Sequence, residues 1–240
     1  MNSSYLKNWF ILALSFATIM LFTQCDSNND VEPETETEDV LLVDEEGTTS
    51  FSNTAFQVVI NLLPKEDLSA AEESGLIFMR EEEKLAHDVY VKLYEKWGMN
   101  IFNNIAQSET THTDAVLVLL NKYDLTDPVG TNGIGVFVNT TLQGLYDNLT
   151  VAGFENQVEA LKVGAAIEEI DIRDLENELN NNVDNEDIEL LYENLEKGSR
   201  NHLRAFVRNL NNRGVTYIPQ YLSVEEYQEI INGDMEKGGN

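Results

Sequence analysis

From residue 68 onward, apolar residues recur along the chain at helical spacing. Leu76, Met79, Ala86, Tyr90 and Leu93 fall on one helical face, the stripe that an amphipathic helix buries. Ser69 followed three residues later by Glu72 is a capping box that opens this helix, and Gly98 closes it after Trp97. Asn100 is placed to cap a second helix over 101–123, striped by Ile105, Val116, Leu119 and Leu120. A connection this short makes the two helices antiparallel neighbours. Residues 124–139, rich in Gly, Pro, Thr and Asn, predict a loop, with a short helix over 142–149 after it. A third long helix over 155–179 carries Val158, Leu161, Ala165, Ile172 and Leu175. A fourth, capped by Asp184 or Asn185, carries Ile188, Leu191, Leu195, Phe206 and Leu210 and ends near Gly214. A turn and a short helix over 217–232 complete the pattern, and no segment reads as a strand. The expected fold is all-α: a four-helix bundle over 51–240, built of two antiparallel hairpins joined by one long crossover, with a short C-terminal helix.

Upstream the pattern changes. Residues 9–22 are apolar, too short a run to cross a bilayer comfortably, and follow a polar start containing Lys7. The run ends abruptly at Thr23-Gln24-Cys25-Asp26. A charged start, an apolar middle and a sharp polar end describe a secretory signal over residues 1–24. The lone cysteine at its end resembles that of a bacterial lipoprotein signal, in which Cys25 becomes the lipidated first residue. Residues 26–50 hold ten acidic residues and no basic one, so residues 25–50 are expected to form a disordered tether. A single acyl chain binds weakly, and lasting anchorage takes the several chains a bacterial lipoprotein carries. The expected location is outside the cytoplasm, lipid-anchored to a bacterial membrane.

Composition narrows the partners. The 240-residue chain is 42% hydrophobic, enough for a core, and carries a formal charge of −28. Nucleic acid and anionic membrane surfaces are therefore poor partners. One cysteine excludes an intramolecular disulfide and any metal site built from several cysteines of one chain.

The candidate chemistry lies in polar residues that interrupt the apolar stripes. Glu83 follows Met79 by four and precedes Ala86 and Tyr90 on the first helix. Glu109 and His112 sit between Ile105 and Val116 on the second. Glu168 lies between Ala165 and Ile172 on the third, with Asp171 three residues on. His202 sits between Leu195 and Phe206 on the fourth. Each helix thus turns a potential ligand inward near mid-length. Unpaired buried carboxylates cost several kcal/mol and repel one another, which a divalent or trivalent cation remedies. Oxygen-rich ligands with one or two imidazoles suit iron or manganese.

The segment Glu83-x-x-Ala86-x-x-x-Tyr90 and the run from Ile105 through Glu109-Thr-Thr-His112 resemble the first two helices of rubrerythrin-like and other ferritin-like di-iron proteins. The pattern Gly164-Ala-Ala-Ile-Glu168-Glu169-x-Asp171-Ile172-x-Asp174-Leu175, with Gly198-Ser-Arg-Asn-His202-Leu-Arg-Ala-Phe206, is similar to that of an uncharacterised ferritin-like family, DUF2202. The resemblance covers residues 68–231. It implies a ferritin-like bundle and a dinuclear metal centre, with two iron ions (manganese as the alternative) held by Glu83, Glu109, His112, Glu168, Asp171 and His202. The di-iron scheme asks for a Glu from two helices and Glu-x-x-His from the other two. The fourth helix departs from it, placing Ser199 where a Glu is expected, so Asp171 or Glu169 would supply the missing carboxylate. Tyr90, Glu169 and Ser199 are expected around the ligands. No rubredoxin-type four-cysteine site is present, so an electron donor would be another protein.

If the protein is an enzyme, the resemblance implies oxidation–reduction with dioxygen or hydrogen peroxide. The rivals are a metal-sequestering protein without turnover and a metal-free interaction lipoprotein. The last would need internal partners for the inward carboxylates, such as Arg200 or Arg204.

Overall fold

A computed structural model describes residues 40–44 and 47–237. The signal segment, Cys25 and residues 25–39 of the expected tether lie outside the described residues. Among the described residues are two short strands, β1 (Leu41–Val43) and β2 (Thr49–Phe51). Seven helices follow: α1 (Asn53–Leu62), α2 (Ala70–Trp97), α3 (Asn100–Lys122), α4 (Thr140–Gly153), α5 (Gln157–Asn181), α6 (Glu186–Asn211) and α7 (Val224–Asn232). None of these helices is long and apolar enough to cross a membrane.

The long helices α2, α3, α5 and α6 form the bundle. α2 packs on α3 and α5 on α6, while α3 lies beside α6 and α2 beside α5. The ends of the helices follow local chemistry. Ser69 and Glu72 form the reciprocal capping box of α2, and Gly98 ends the helix in the left-handed region at φ 63°. Asn156 caps α5 by accepting from the backbone of Val158 and Glu159, both at 3.0 Å. Asn100 is not a cap: Met99 holds that position without a side-chain bond, and α3 begins at Asn100. The crossover from α3 to α5 contains α4, which runs from 140 to 153 rather than 142 to 149.

Three buried carboxylates, Glu72, Glu81 and Glu169, fasten loops to this frame. Glu72 accepts from the backbone of Asp184 and Asn185 at 3.2 and 3.1 Å, fixing the entry to α6. Glu81 accepts from the backbone of Val138 and Asn139, just ahead of α4 in the crossover. Glu169 accepts from three consecutive backbone amides, Gln220, Tyr221 and Leu222, at 2.7–3.0 Å, and so secures the segment before α7. Amide hydrogens facing a carboxylate oxygen replace the water it loses on burial.

The folded part begins earlier than residue 51. β1 and β2 pair antiparallel with Leu41 opposite Phe51, and Gly47 turns the chain between them at φ 88°. Leu41, Phe51, Phe56 and Ile60 are all buried, which draws β1, β2 and α1 onto the bundle. The acidic composition hid this hairpin, and α1 lacked a capping box.

The core falls into two apolar clusters. One gathers Tyr90, Phe102, Leu161 and Phe206 with α4 and α7. The other gathers Leu76, Met79, Leu119 and Leu191 with β1, β2 and α1. Along α2, α3 and α6 the boundary between them is polar: Glu83, Glu109 with His112, and His202. Gly164 lets α5 approach α6 closely, because a Cβ there would collide with the Phe206 ring. Gly164→Ala is therefore expected to destabilise the protein by about 1–3 kcal/mol through overpacking. Urea unfolding checks this, and a neutral or stabilising result would show that the Phe206 ring yields freely.

Candidate metal centre

Five side chains from the four bundle helices meet at the boundary between the two apolar clusters. Glu83 comes from α2, Glu109 and His112 from α3, Glu168 from α5 and His202 from α6, and none is more than 1% exposed. Glu109 and His112 share a face because they are three residues apart on one helix. Glu109 is the centre of the group. Its Oε2 lies 2.9 Å from His112 Nδ1 and its Oε1 lies 2.9 Å from His202 Nδ1. Glu83 Oε2 flanks His112 Nδ1 at 3.4 Å, and Glu168 Oε2 flanks His202 Nδ1 at 3.5 Å. The result is two groups, Glu83–Glu109–His112 and Glu109–Glu168–His202, each with ligand atoms within 4.8 Å of one another.

These atoms are close without being aligned as hydrogen bonds. Both histidine Nδ1 atoms, both oxygens of Glu83, Oε1 of Glu109 and Oε2 of Glu168 are buried and lack a hydrogen-bond partner. Buried native polar groups are nearly always paired, so six such atoms at one place converge on shared points rather than on one another. Three carboxylates and two imidazoles fit an oxygen-preferring transition metal, and a carboxylate with one oxygen toward each group fits a bridge between two ions.

The surroundings set the charges. Burial would raise Glu109, but the two neighbouring imidazoles outweigh it and hold its carboxyl well below the usual range. Burial would lower the histidines, yet the carboxylates lift His112 to about 10 and His202 to about 9. Burial pushes Glu83 up to about 7, against the pull of His112, and raises Glu168 against the pull of His202. Tyr90 donates its hydroxyl to Glu168 Oε1 at 2.5 Å, and burial together with Glu168 raises its own pKa. Glu168 is thereby tied through one oxygen, whereas Glu83 has both free.

The other expected site residues lie elsewhere. Asp171 is buried, but belongs to neither group; burial and the carboxylates of Glu82 and Glu168 push it well above the ordinary range. One step around α5, Glu169 faces the segment before α7 and offers nothing to the centre. Ser199 turns its hydroxyl back to its own helix, to the Leu195 carbonyl at 3.2 Å. Among the described residues no carboxylate replaces the Glu missing from α6, and the two groups contain three carboxylates. His87 is half-buried against Asp88 at 2.8 Å, away from the centre. Arg200 and Arg204 bind Glu236, at 2.6–3.0 Å and 2.8 Å.

Sequence reasoning missed Thr49. Its Oγ1 lies 3.1 Å from His112 Nε2 and 2.8 Å from His202 Nε2. The signal was present: Leu41-Leu42-Val43, a turn ending in Gly47, then Thr48-Thr49-Ser50-Phe51 is a hairpin pattern.

The architecture defines an all-α bundle with two carboxylate–histidine groups sharing one glutamate. The chain belongs to the family described as "Uncharacterized protein domain (DUF2202)", whose pattern matches residues 72–234. It is 58% identical over 181 residues to "Uncharacterized protein MJ0754" of Methanocaldococcus jannaschii, spanning 75% of this chain and 97% of the relative. The crystal structure of hypothetical protein MJ0754 from Methanococcus jannaschii DSM 2661 superposes with a TM-score of 0.71 at 59% identity, covering 72% of this chain and 99% of that one.

The raised histidines give a pH signature. Folded-state values of about 10 and 9 against an ordinary 6.5 mean that the folded metal-free protein keeps protons the unfolded chain releases. Their contribution to stability is complete below the unfolded value of 6.5 and is lost as pH rises through about 9–10. The metal-free melting temperature is expected to fall over that window by at least about 3 °C, the shift that ~1 kcal/mol gives at this chain length. The His112→Gln, His202→Gln double variant should flatten the fall. An equal slope in the double variant would assign it to other groups.

Proposed function

We propose that this chain is a ferritin-like di-metal carboxylate protein, exported and held to a bacterial membrane through a lipidated Cys25. The observation that carries the reading is Glu109, one buried carboxylate shared between two histidine–carboxylate groups whose facing atoms have no hydrogen-bond partner. Glu83 and His112 would hold one ion and Glu168 and His202 the other, with Glu109 between them. Iron fits this donor set best, with manganese the alternative. A pair of iron ions there would supply electron exchange with dioxygen or hydrogen peroxide, making the protein an oxidoreductase.

The chain's own groups have definite parts in this scheme. Glu109 places its two oxygens 2.9 Å from different Nδ1 atoms, so it would serve both halves of the site. Tyr90 orients Glu168 through Oε1, and Oε2, which has no partner, would be available to hold a metal. Glu83, with both oxygens free, can change its mode of binding as metal charge changes. The two apolar clusters keep bulk water from the reacting pair. Electrons would come from a separate donor protein.

The arginines weigh against a metal-free interaction protein. That reading needs internal partners for the inward carboxylates, such as Arg200 or Arg204, and both arginines are engaged by Glu236 instead. Export and lipidation rest on residues 1–25 of the sequence alone.

Elemental analysis of the full chain in detergent, after anaerobic reconstitution with iron, tests the centre. About two ions per chain are expected, falling to one or none in Glu109→Gln and unchanged in Glu169→Gln. A wild-type protein without bound metal sinks the reading. Metal-dependent peroxide consumption then separates an oxidoreductase from a protein that only sequesters metal.

A further inference from the structure

Thr49 lies on β2, ahead of the segment that matches the family pattern, yet it touches both histidines of the centre. It is 1% exposed and held from two directions. Its backbone amide donates to Ser108 Oγ at 2.9 Å, and the Ser108 hydroxyl returns a bond to the Thr49 carbonyl. Two residues on, the Phe51 amide donates to Thr111 Oγ1 at 3.0 Å, and the Phe51 ring meets His112 edge-on at 5.5 Å. Side chains of α3 therefore seat this strand beside the ligands that the same helix carries. On the opposite helix, Gly198 leaves the necessary room: a Cβ there would stand 2.8 Å from His112 Cε1 and 3.4 Å from Thr49 Oγ1.

We infer that Thr49 is a positioning residue of the centre, its hydroxyl oxygen accepting from the Nε2–H of both His112 and His202 so that both Nδ1 atoms face the shared Glu109. This rests on the metal-centre reading. A hydroxyl oxygen has two lone pairs, enough for two imidazole donors. A neutral imidazole carries one N–H, and placing it on Nε2 leaves the lone pair on Nδ1, the atom beside Glu109 in both rings. One side chain thus sets ring orientation and ligand nitrogen for both halves of the pair. The near-parallel stacking of the rings, 17° apart with centroids 5.4 Å apart, follows from sharing one acceptor.

Thr49→Val keeps the shape and removes the acceptor, whereas Thr49→Ser keeps the acceptor. Cobalt(II) added to the full chain is the probe, with affinity read by chelator competition and ligand geometry by the visible spectrum. Loss of an outer partner of a metal-bound histidine costs about 10- to 100-fold in affinity. That loss and an altered spectrum are expected for Thr49→Val, with Thr49→Ser close to wild type and the metal-free melting temperatures of the two variants alike. Equal cobalt affinity in wild type and Thr49→Val overturns the inference and leaves the centre standing. Equal losses in both variants, tracking a lowered melting temperature, also overturn it, since the hairpin is then only a cover. A wild type that binds no cobalt removes the centre and this inference together. Where Thr49→Val does not fold, Ser108→Ala, which loosens the strand without touching a ligand, is expected to weaken cobalt binding; unchanged affinity there overturns the inference.

Discussion

The buried carboxylate of Glu109, held between two imidazoles, is the constraint around which the bundle is arranged. A charge with no water around it is tolerated only where opposite charge or hydrogen bonds replace the solvent. Glu109 sits at the junction of two apolar clusters, and with Glu83, Glu168 and the histidines it divides what would otherwise be one core. The apolar halves must therefore supply the burial that stabilises the fold, at about 25 cal/mol per Å² of apolar surface, while the layer between them opposes it unless charge is balanced there. Two imidazolium rings do not offset three carboxylates fully, and burial, with the Glu109 charge adding to it, pushes Glu83 and Glu168 toward their protonated forms. A cation pair would complete the balance and release those protons.

Other buried carboxylates of the chain show how the same difficulty is met when no metal is wanted. Glu72, Glu81 and Glu169 each face two or three backbone amides. Asp88 takes Lys84 and the Gly135 amide, and Asp187 takes Lys122 and the Tyr123 hydroxyl. Each of these ties a loop or a helix end to the bundle. Glu83 meets no such donor, although it is as deeply buried as they are. Burial alone therefore does not mark the candidate ligands; burial with an oxygen left without a donor does so only for a residue in one of the two ligand groups. Glu82 shares that condition, but stands in neither ligand group, and burial and Asp174 push its pKa well up, so protonation answers its charge.

The bundle and most of its centre were legible because long amphipathic helices leave a strong periodic trace. Glu83, Glu109, His112, Glu168 and His202 each replaced an expected apolar residue on a stripe, and the structure brings those five together. The trace cannot separate neighbours on a helix when both are buried. Glu168 and Glu169 differ by one step of about 100°, and only the position of residues 220–222 shows that Glu169 has its donors elsewhere. Asp171 follows Glu168 by three and shares its side of α5, yet it reaches no ligand group. Thr49 was hidden for a different reason. It lies on a strand of three residues within an acidic stretch, where composition argued for disorder, and its partners are 59 or more residues away. Pairing over such distances leaves no local signature.

Ser199 and Tyr90 together make the centre unequal in a defined way. A Glu at 199 would give α6 the same Glu-x-x-His as α3 and a second carboxylate near the pair; Ser199 instead bonds to its own helix and contributes nothing. Tyr90 restrains one terminal carboxylate, Glu168, and nothing corresponding restrains Glu83. In the proposed centre the Glu168–His202 position would therefore be preorganised and rigid, whereas the Glu83–His112 position would be adaptable, able to take one or two oxygens from the same residue. Preorganisation lowers the ordering cost of binding, so Glu168 and His202 would hold a metal more tightly than Glu83 and His112. Glu83 and Glu168 both have raised pKa values, so metal binding at either position would be coupled to the loss of a proton.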